Sequence, residues 1–542
     1  MAGQASPLAP LNYRVFRTIW IASLASNLGG LIQSVGAAWL MTSLTSSAGL
    51  VALVAASTTL PVMIFSLASG AIADNFDRRR VIIVAQIFML LVSVALTVCA
   101  WYGWITPWML LGFTFLLGCG TALNNPSWQA SVGDMVPRDV LSAAVTLNSV
   151  NFNITRSVGP AIGGAIVVAF GAAVAFAINT ISYLALIFVI ARWRPNLPKT
   201  TLPRETMGRA IFAGLRYVAM SPHIETVLFR ACIFGATAIV VLSLLPLVAR
   251  DLLQGDALTF GILLGCFGVG AIAGAFMTGP VRDRISTEWI VRLGFLGFAI
   301  SALACAYGSS LWQTGPALMI GGVSWVSTLS LFNVTVQLSS PRWVVGRAMA
   351  LYQTATFGGM ALGAWIWGGM AENYGVSFAF QAAALALLVG AAIGFLFPVP
   401  AMKTLNLDPL NQWEQPNLAL DLRPSSGPIF IVVEWEIKEE DLPAFMLAMD
   451  ARRRMKLRDG AGQWELMRDL ENPLVWHETY HAPTWVDYIR LNHRTTHDDA
   501  VIRDKLHSLH SGDGPPKVHR MIVRPTNWEA AALTAKTVVS DH

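Results

Sequence analysis

Only 13% of the 542 residues are charged, so each charge inside an apolar run needs a reason. Residues 70–80 read Gly-Ala-Ile-Ala-Asp-Asn-Phe-Asp-Arg-Arg-Arg, and they set Asp74 and Asp77 beside Arg78, Arg79 and Arg80 between two long greasy segments. Such a group can form ion pairs, touch a helix dipole or simply fix topology. Arg156 stands deep within another apolar run, preceded by Asn148, Asn151, Asn153 and Thr155. A charge near the bilayer centre costs about 2.5–3.5 kcal/mol on insertion scales, so it must face a cavity or a partner. Arg156 therefore reads either as a cavity wall that binds polar or anionic groups, or as a structural arginine that bonds backbone carbonyls next to Gly159-Pro160. The five cysteines all lie in apolar runs without short spacing, which implies neither a disulfide framework nor a zinc site. No catalytic residue set, metal or cofactor is expected.

These residues must be held by membrane helices. A span needs about 20 apolar residues. Twelve such runs occur, at 16–44, 48–73, 80–102, 106–135, 140–168, 172–192, 222–249, 257–280, 288–308, 313–339, 344–371 and 375–397. The first run is too long for a cleavable signal peptide and leads into the others. Bases fall on one set of connections: Arg14 and Arg17, Arg78 to Arg80, Arg138, Arg192 to Arg216, Arg282 and Arg284, Arg342 and Arg347. The alternate connections 44–48, 102–106, 168–172 and 308–313 carry none, and only Arg250 goes against the pattern. The positive-inside rule then places both termini in the cytoplasm. The net charge of +5 is explained by topology and does not call for nucleic acid.

A single offset of 204 residues overlays the two six-span halves. It carries Gly70 onto Gly274, Arg78 onto Arg282, Arg80 onto Arg284, Pro137-Arg138 onto Pro341-Arg342, Leu147 onto Leu351 and Gly159 onto Gly363. Halves of six spans share one topology, a parallel repeat with a substrate path between them.

At these residues the chain resembles the major facilitator superfamily over roughly residues 12–398. Gly70, Asp74, Arg78 and Arg79 match its loop 2–3 signature, with Asn75 and Asp77 departing from it. Gly159, Pro160, Gly163 and Gly164, with Arg156 beside them, resemble the glycine–proline motif of its antiporter branch. The chain looks most like bacterial exporters of drugs, macrolides and enterobactin-like siderophores. The resemblance implies a cytoplasmic latch in which Asp74 faces the end of span 11 and Arg78 pairs with Asp134. A plain topogenic cluster is the other reading. Gly70 would let span 2 end close to a neighbour, and the second copy, with Thr278 for the acid, would be a weaker latch. Spans 1, 4, 7 and 10 line the path in this family. The candidate cavity is Asn27, Gln33, Asn124, Gln129, Asn333 and Gln337 of spans 1, 4 and 10, with Asn148, Asn151 and Arg156 of span 5 and Tyr352 of span 11, and Trp39, Trp128, Trp325 and Phe332 as aromatic surface. Each of these has helix packing as its other reading. The motif implies proton exchange, yet no acid lies in the middle of a first-half span. Asp134, Asp139, Asp251, Asp256, Glu372 and the lone Arg230 remain as coupling candidates.

After residue 403 charges become common. Strand, helix, two strands joined at 471–473, one helix over 484–510 and a last strand give βαββαβ, a ferredoxin-like order. This tail resembles the αβ-barrel domains related to antibiotic-biosynthesis monooxygenases. His493 and His497 have a spacing that can bind metal, and His477 and His481 share a strand face. Dimerisation or regulation, small-ligand sensing, and enzymatic activity are the roles open to it. The expected organisation is an all-α membrane protein of two six-helix halves, 1–192 and 222–398, joined by a central loop 193–221. A linker 399–427, a soluble α+β ferredoxin-like domain 428–525 and a tail 526–542 follow. The expected function is export of small hydrophobic or amphipathic compounds across the bacterial inner membrane by proton-linked alternating access. The partners are small-molecule substrate, lipid and protons.

Overall fold

The computed structural model describes residues 8–137, 140–194, 207–282, 284–341, 343–399, 407, 410, 412–413 and 415–524. Twelve long helices match the twelve apolar runs in order. The first six are α1 (Arg14–Leu44), α2 (Ala48–Asn75), α3 (Arg78–Trp101), α4 (Pro107–Ser131), α5 (Leu141–Phe170) and α6 (Ala172–Arg192). After a shorter helix, α7 (Met207–Ala219), come α8 (Pro222–Leu247), α9 (Ala257–Arg282), α10 (Thr287–Tyr307), α11 (Leu311–Leu338), α12 (Val345–Tyr374) and α13 (Val376–Leu396). Among the described residues, ten of the twelve are long and apolar enough to cross a membrane, and the other two, α5 and α12, have 30 residues each. Helix α7 was not foreseen; its segment read as a loop.

The chain forms two compact units. One comprises residues 1–212, 222–337 and 346–402. The other comprises 213–221, 338–345 and 403–542, so it draws on the end of α7 and a second short segment as well as the tail.

The 204-residue repeat holds in the packing. A Cβ on Gly159 of α5 would meet Leu31 of α1 at 3.0 Å, and one on Gly363 of α12 would lie against the Ala236 carbonyl of α8. Gly164 of α5 lies against α9, where a Cβ would come within 2.6 Å of the Ala257 carbonyl. The offset carries it to Gly368 of α12, whose Cβ would be 2.7 Å from that of Ala52 on α2. Both glycines therefore mark places where one half closes on the other. Small residues permit such backbone approach between membrane helices.

In the second unit, β1 (Ile429–Glu436), β2 (Gly462–Arg468), β3 (Val475–Ala482) and β4 (Lys517–Ile522) form one sheet in the order β2-β3-β1-β4. All three pairings are antiparallel. Helix α14 (Leu442–Asp459) joins β1 to β2. Alternate residues Ile429, Ile431, Val433 and Trp435 are buried in a core with Phe445, Met449, Tyr480 and Tyr488. The register puts His477 and His481 on the opposite face with Phe430, as strand alternation requires.

Two expectations for this unit need correction. The single helix over 484–510 is two, α15 (Trp485–His493) and α16 (His497–Leu509). Thr496 breaks it: its hydroxyl accepts from the Asp499 N–H at 3.3 Å while the Asp499 carboxylate accepts from the Thr496 N–H at 3.0 Å. That reciprocal capping box starts a new helix. His493 and His497 thus sit on different helices, and His493 meets the Trp413 ring at 5.5 Å. The stretch read as a linker also contributes Trp413 and Leu422 to the core edge.

Candidate functional site

In the arginine-rich connection the Asp74 and Asn75 side chains lie outside the described residues, as do Arg138 and Asp139. Asp77 caps α3: its carboxylate accepts the Arg79 N–H at 3.0 Å and lies 3.6 Å from Arg80. An acid at a helix start also meets the positive end of the dipole. That accounts for the residue that breaks the loop signature. Arg79 reaches the other way and donates to the carbonyls of Ile190 and Ala191, capping the C-terminus of α6. Arg78 pairs with Asp134 at 3.1 Å, linking the start of α3 to the turn after α4. Both partners belong to the first half.

Gly70 differs from expectation. A Cβ there would meet nothing within 4 Å, so it marks no close approach among the described residues. Its repeat partner Gly274 does mark one, with the Val323 carbonyl 2.8 Å from the Cβ position. Beside it the Thr278 hydroxyl donates to Ser327 at 2.9 Å, tying α9 to α11 where the first copy has an acid.

The glycine–proline motif lies within α5. Gly159 and Gly163 face α1, and Gly164 faces α9. Pro160 has no N–H, which leaves the carbonyl four residues earlier, that of Arg156, without its helical donor. The Arg156 guanidinium projects toward the second half, 5.8 Å from the Phe267 ring of α9 and 5.9 Å from the Trp325 ring of α11. Both distances fall within cation–π range. Trp325 and Phe267 belong to an aromatic cluster with Phe234 and Phe298. Among the described residues Arg156 has no carboxylate partner.

The polar residues read as cavity lining divide into groups. The Gln33 carbonyl accepts from Ser93 of α3 at 3.0 Å and from Asn179 of α6 at 2.7 Å, so it is spent on helix packing. Asn151 donates to Ser23 at 3.0 Å and to the Trp20 carbonyl, and Asn27 donates to Asn151 at 3.2 Å. That network staples α1 to α5. Asn124 accepts from Gln86 at 3.3 Å. Tyr352 is buried with its hydroxyl donating to the Leu329 carbonyl at 3.1 Å. Gln337 bonds Asn333 one turn back on α11. Asn148 is half-buried and Gln129 exposed.

Arg230 is not alone. It pairs with Glu288 at 3.5 Å, and Glu288 also holds Arg292 at 2.7 Å and accepts the Val399 N–H at 2.7 Å. Arg292 donates to the Gly394 carbonyl at 2.8 Å, and Arg230 to that of Gly390. The triad ties α8 and α10 to the end of α13. The sequence reading missed Glu288 because it sits at the first residue of its span; the i, i+4 pair with Arg292 was the available signal.

Three acids and one base lie on the connections opposite the arginine-rich ones. Asp256 caps the start of α9, and the Thr259 N–H it accepts at 2.9 Å holds its carboxyl below the usual range. Glu372, near the end of α12, accepts from the Ser47 hydroxyl at 2.5 Å and the Gly49 N–H at 2.7 Å at the start of α2. Arg250 donates to the Thr42 carbonyl of α1 at 2.7 Å and to Asp251 at 2.6 Å. Arg250, Asp251, Glu372, Ser47 and Tyr374 line a cavity of about 490 Å³. Among the described residues no group of three His, Cys, Asp or Glu side chains is placed to hold a metal ion.

Long apolar helices packed through glycine seams are the architecture of a multi-pass membrane transporter of the major facilitator type. The family model of transmembrane secretion effectors matches residues 5–527, and the chain belongs to that family. The match runs through the four-stranded unit as well. An MFS-type transporter of Bacillus subtilis, YfiS, is 27% identical over 60% of this chain and 78% of its own. The multidrug efflux pump Tap of Mycolicibacterium fortuitum is 24% identical over 72% of this chain and 96% of its own. The staphyloferrin A transporter of Staphylococcus aureus is 24% identical over 52% and 70%. A bacterial homologue of the human lysosomal transporter Spinster, solved inward-facing and unoccupied, shares the fold at TM-score 0.57 and 15% identity. It covers 70% of this chain and 96% of its own. The chain is thus a secondary transporter and not an enzyme.

Proposed function

We propose that this transporter exports small hydrophobic or amphipathic compounds across the bacterial inner membrane, by alternating access coupled to proton entry. The observation that carries the reading is Arg156, a cation without a carboxylate partner among the described residues. It reaches from the motif helix of one half to Phe267 and Trp325 of the other. A guanidinium framed by aromatic rings suits cargo with an apolar body and a few polar or anionic groups. The named relatives, a multidrug pump and a siderophore transporter, support cargo of that kind. The basic connections support cytoplasmic termini.

Asp74, Arg78 and Asp134 are read as the cytoplasmic latch, with Gly70 and Arg79 as its frame. The motif Gly159, Pro160, Gly163 and Gly164 is read as the surface that must slide as the halves rock. The tail is read as ferredoxin-like, on its sheet order and connections, and as regulatory. A deletion strain carrying the gene or its Arg156→Leu form tests the export reading against a panel of drugs and siderophores. Resistance restored by the parent and lost with Arg156→Leu supports it. Equal resistance from both forms removes Arg156 from the path. If the purified tail consumed oxygen with a quinone-like substrate, the enzyme-fusion reading would replace the regulatory one.

A further inference from the structure

The connections opposite the arginine-rich ones carry a second set of contacts between the halves, which no sequence motif marks. Glu372 belongs to α12 of the second half, yet both of its hydrogen bonds go to the first half, to Ser47 and to the Gly49 N–H. Its carboxylate therefore sits on the positive end of α2, whose first N–H groups have no helical acceptor. Arg250 follows α8 of the second half, and its longest reach is to the carbonyl of Thr42 near the end of α1. That carbonyl lies at the negative end of its helix. Each contact joins a charge of one half to a helix terminus of opposite polarity on the other. They flank the same cavity, with Asp251 holding Arg250 in place and Tyr374 beside it. Below them Gly368 brings α12 onto Gly49 and Ala52 of α2, with no room for a methyl group. Arg250 also runs against the charge pattern of the connections, and this contact gives that exception a use.

We propose that Glu372 and Arg250 are the gate on this face: they hold the halves closed here and must release Ser47, Gly49 and Thr42 each time the transporter opens to this side. The proposal rests on the two-half transporter fold and not on the identity of the cargo. Gly49 is part of the device. A Cβ on it would lie 2.8 Å from the Glu372 carboxylate, so a methyl there expels the acid without altering it.

The test measures distance, not transport, and needs no cargo. Spin labels at Ser46→Cys and Ser377→Cys, one on each half, are placed in the full chain with the five native cysteines replaced by alanine. The protein is reconstituted in phospholipid nanodiscs and read by pulsed electron–electron resonance. A dominant short distance is expected in the parent. Glu372→Ala, Arg250→Ala and Gly49→Ala should each move the population several-fold toward a longer distance. Asn373→Ala, on the exposed neighbour of Glu372, should leave it in place. Distributions in all three gate variants that match the parent would overturn the proposal. Should Glu372→Ala fail to give monodisperse protein, Gly49→Ala and Glu372→Gln decide by the same criterion. A second readout uses Ser47→Cys with Glu372→Cys. Oxidation should fix the short distance and reduction should restore the mixture; a pair that oxidises yet still shows the long distance would also overturn the gate.

Discussion

Asp77 and Arg79 show how much a single side chain can decide in the arginine-rich connection. One starts α3 and the other finishes α6, so the connection caps two helices besides setting orientation. Removing a helix N-cap costs about 1 kcal/mol. Asp77→Ala should therefore lower the thermal stability of purified protein, with Asp77→Ser recovering most of the loss. Arg78 and Asp134 behave differently. Their side chains are 34% and 18% exposed, and such ion pairs contribute at most about 1 kcal/mol. Arg78→Ala or Asp134→Asn should leave the melting temperature almost unchanged while slowing efflux, and the double variant should be no slower than either single one. A double variant with additive losses would show that the two residues do not act together. In the second unit, Lys456 is buried against the Tyr480 ring at 5.0 Å, and burial pulls its amine down to about 8. Between about pH 8 and the unfolded value near 10.5 the unfolded chain holds a proton that the folded one has lost. Stability contributed by this residue therefore rises with pH across that window, by an amount on the order of 1–3 kcal/mol. Lys456→Met should be more stable than the parent at pH 7.5, and the difference should shrink by pH 10.

At the scale of elements, hydropathy alone located the twelve long helices, ten of which are long and apolar enough to cross a membrane among the described residues, because a run of about 20 apolar residues has few other stable settings. Their ends and partners were less legible. Gln33 and Asn27 look alike in sequence, both polar residues in the first span. Only packing shows that Gln33 faces α3 and α6 while Asn27 faces α5. Glu288 was hidden for a related reason: an acid at a span end looks like an ordinary boundary residue until its partners on other helices are known. The division of the last long helix was readable in principle, since Thr496 and Asp499 spell a capping box. Helical periodicity on both sides hid it. Thr496→Ala should cost about 1 kcal/mol and loosen the start of α16, seen as faster amide exchange at Asp499 and Ala500. The glycine seams give a second test at this scale. Gly164→Leu and Gly368→Leu occupy repeat-related sites and should destabilise to similar degrees, whereas Gly70→Ala should be tolerated.

Across the whole molecule, the 204-residue repeat was legible because the same residues recur at one offset, and the packing of Gly159 and Gly363 follows it. The membership of the two compact units was not legible, since the second unit joins segments far apart in sequence. Topology has a direct check: a fluorescent protein fused after residue 542 should fluoresce, and alkaline phosphatase at the same point should be inactive. The composition of the second unit matters for anyone who trims the chain. Inside that unit Tyr217 meets Trp343 edge-on at 5.6 Å, Arg458 lies over the phenol and Arg494 lies 4.0 Å above the indole. Ending the protein near residue 403 removes both guanidinium lids and leaves two bare aromatic rings, one on α7 and one on the 338–345 segment. The shortened product should clump in detergent, and paired Tyr217→Ser and Trp343→Ser changes should cure it. What looks like a detachable appendage shares one compact unit with residues 213–221 and 338–345.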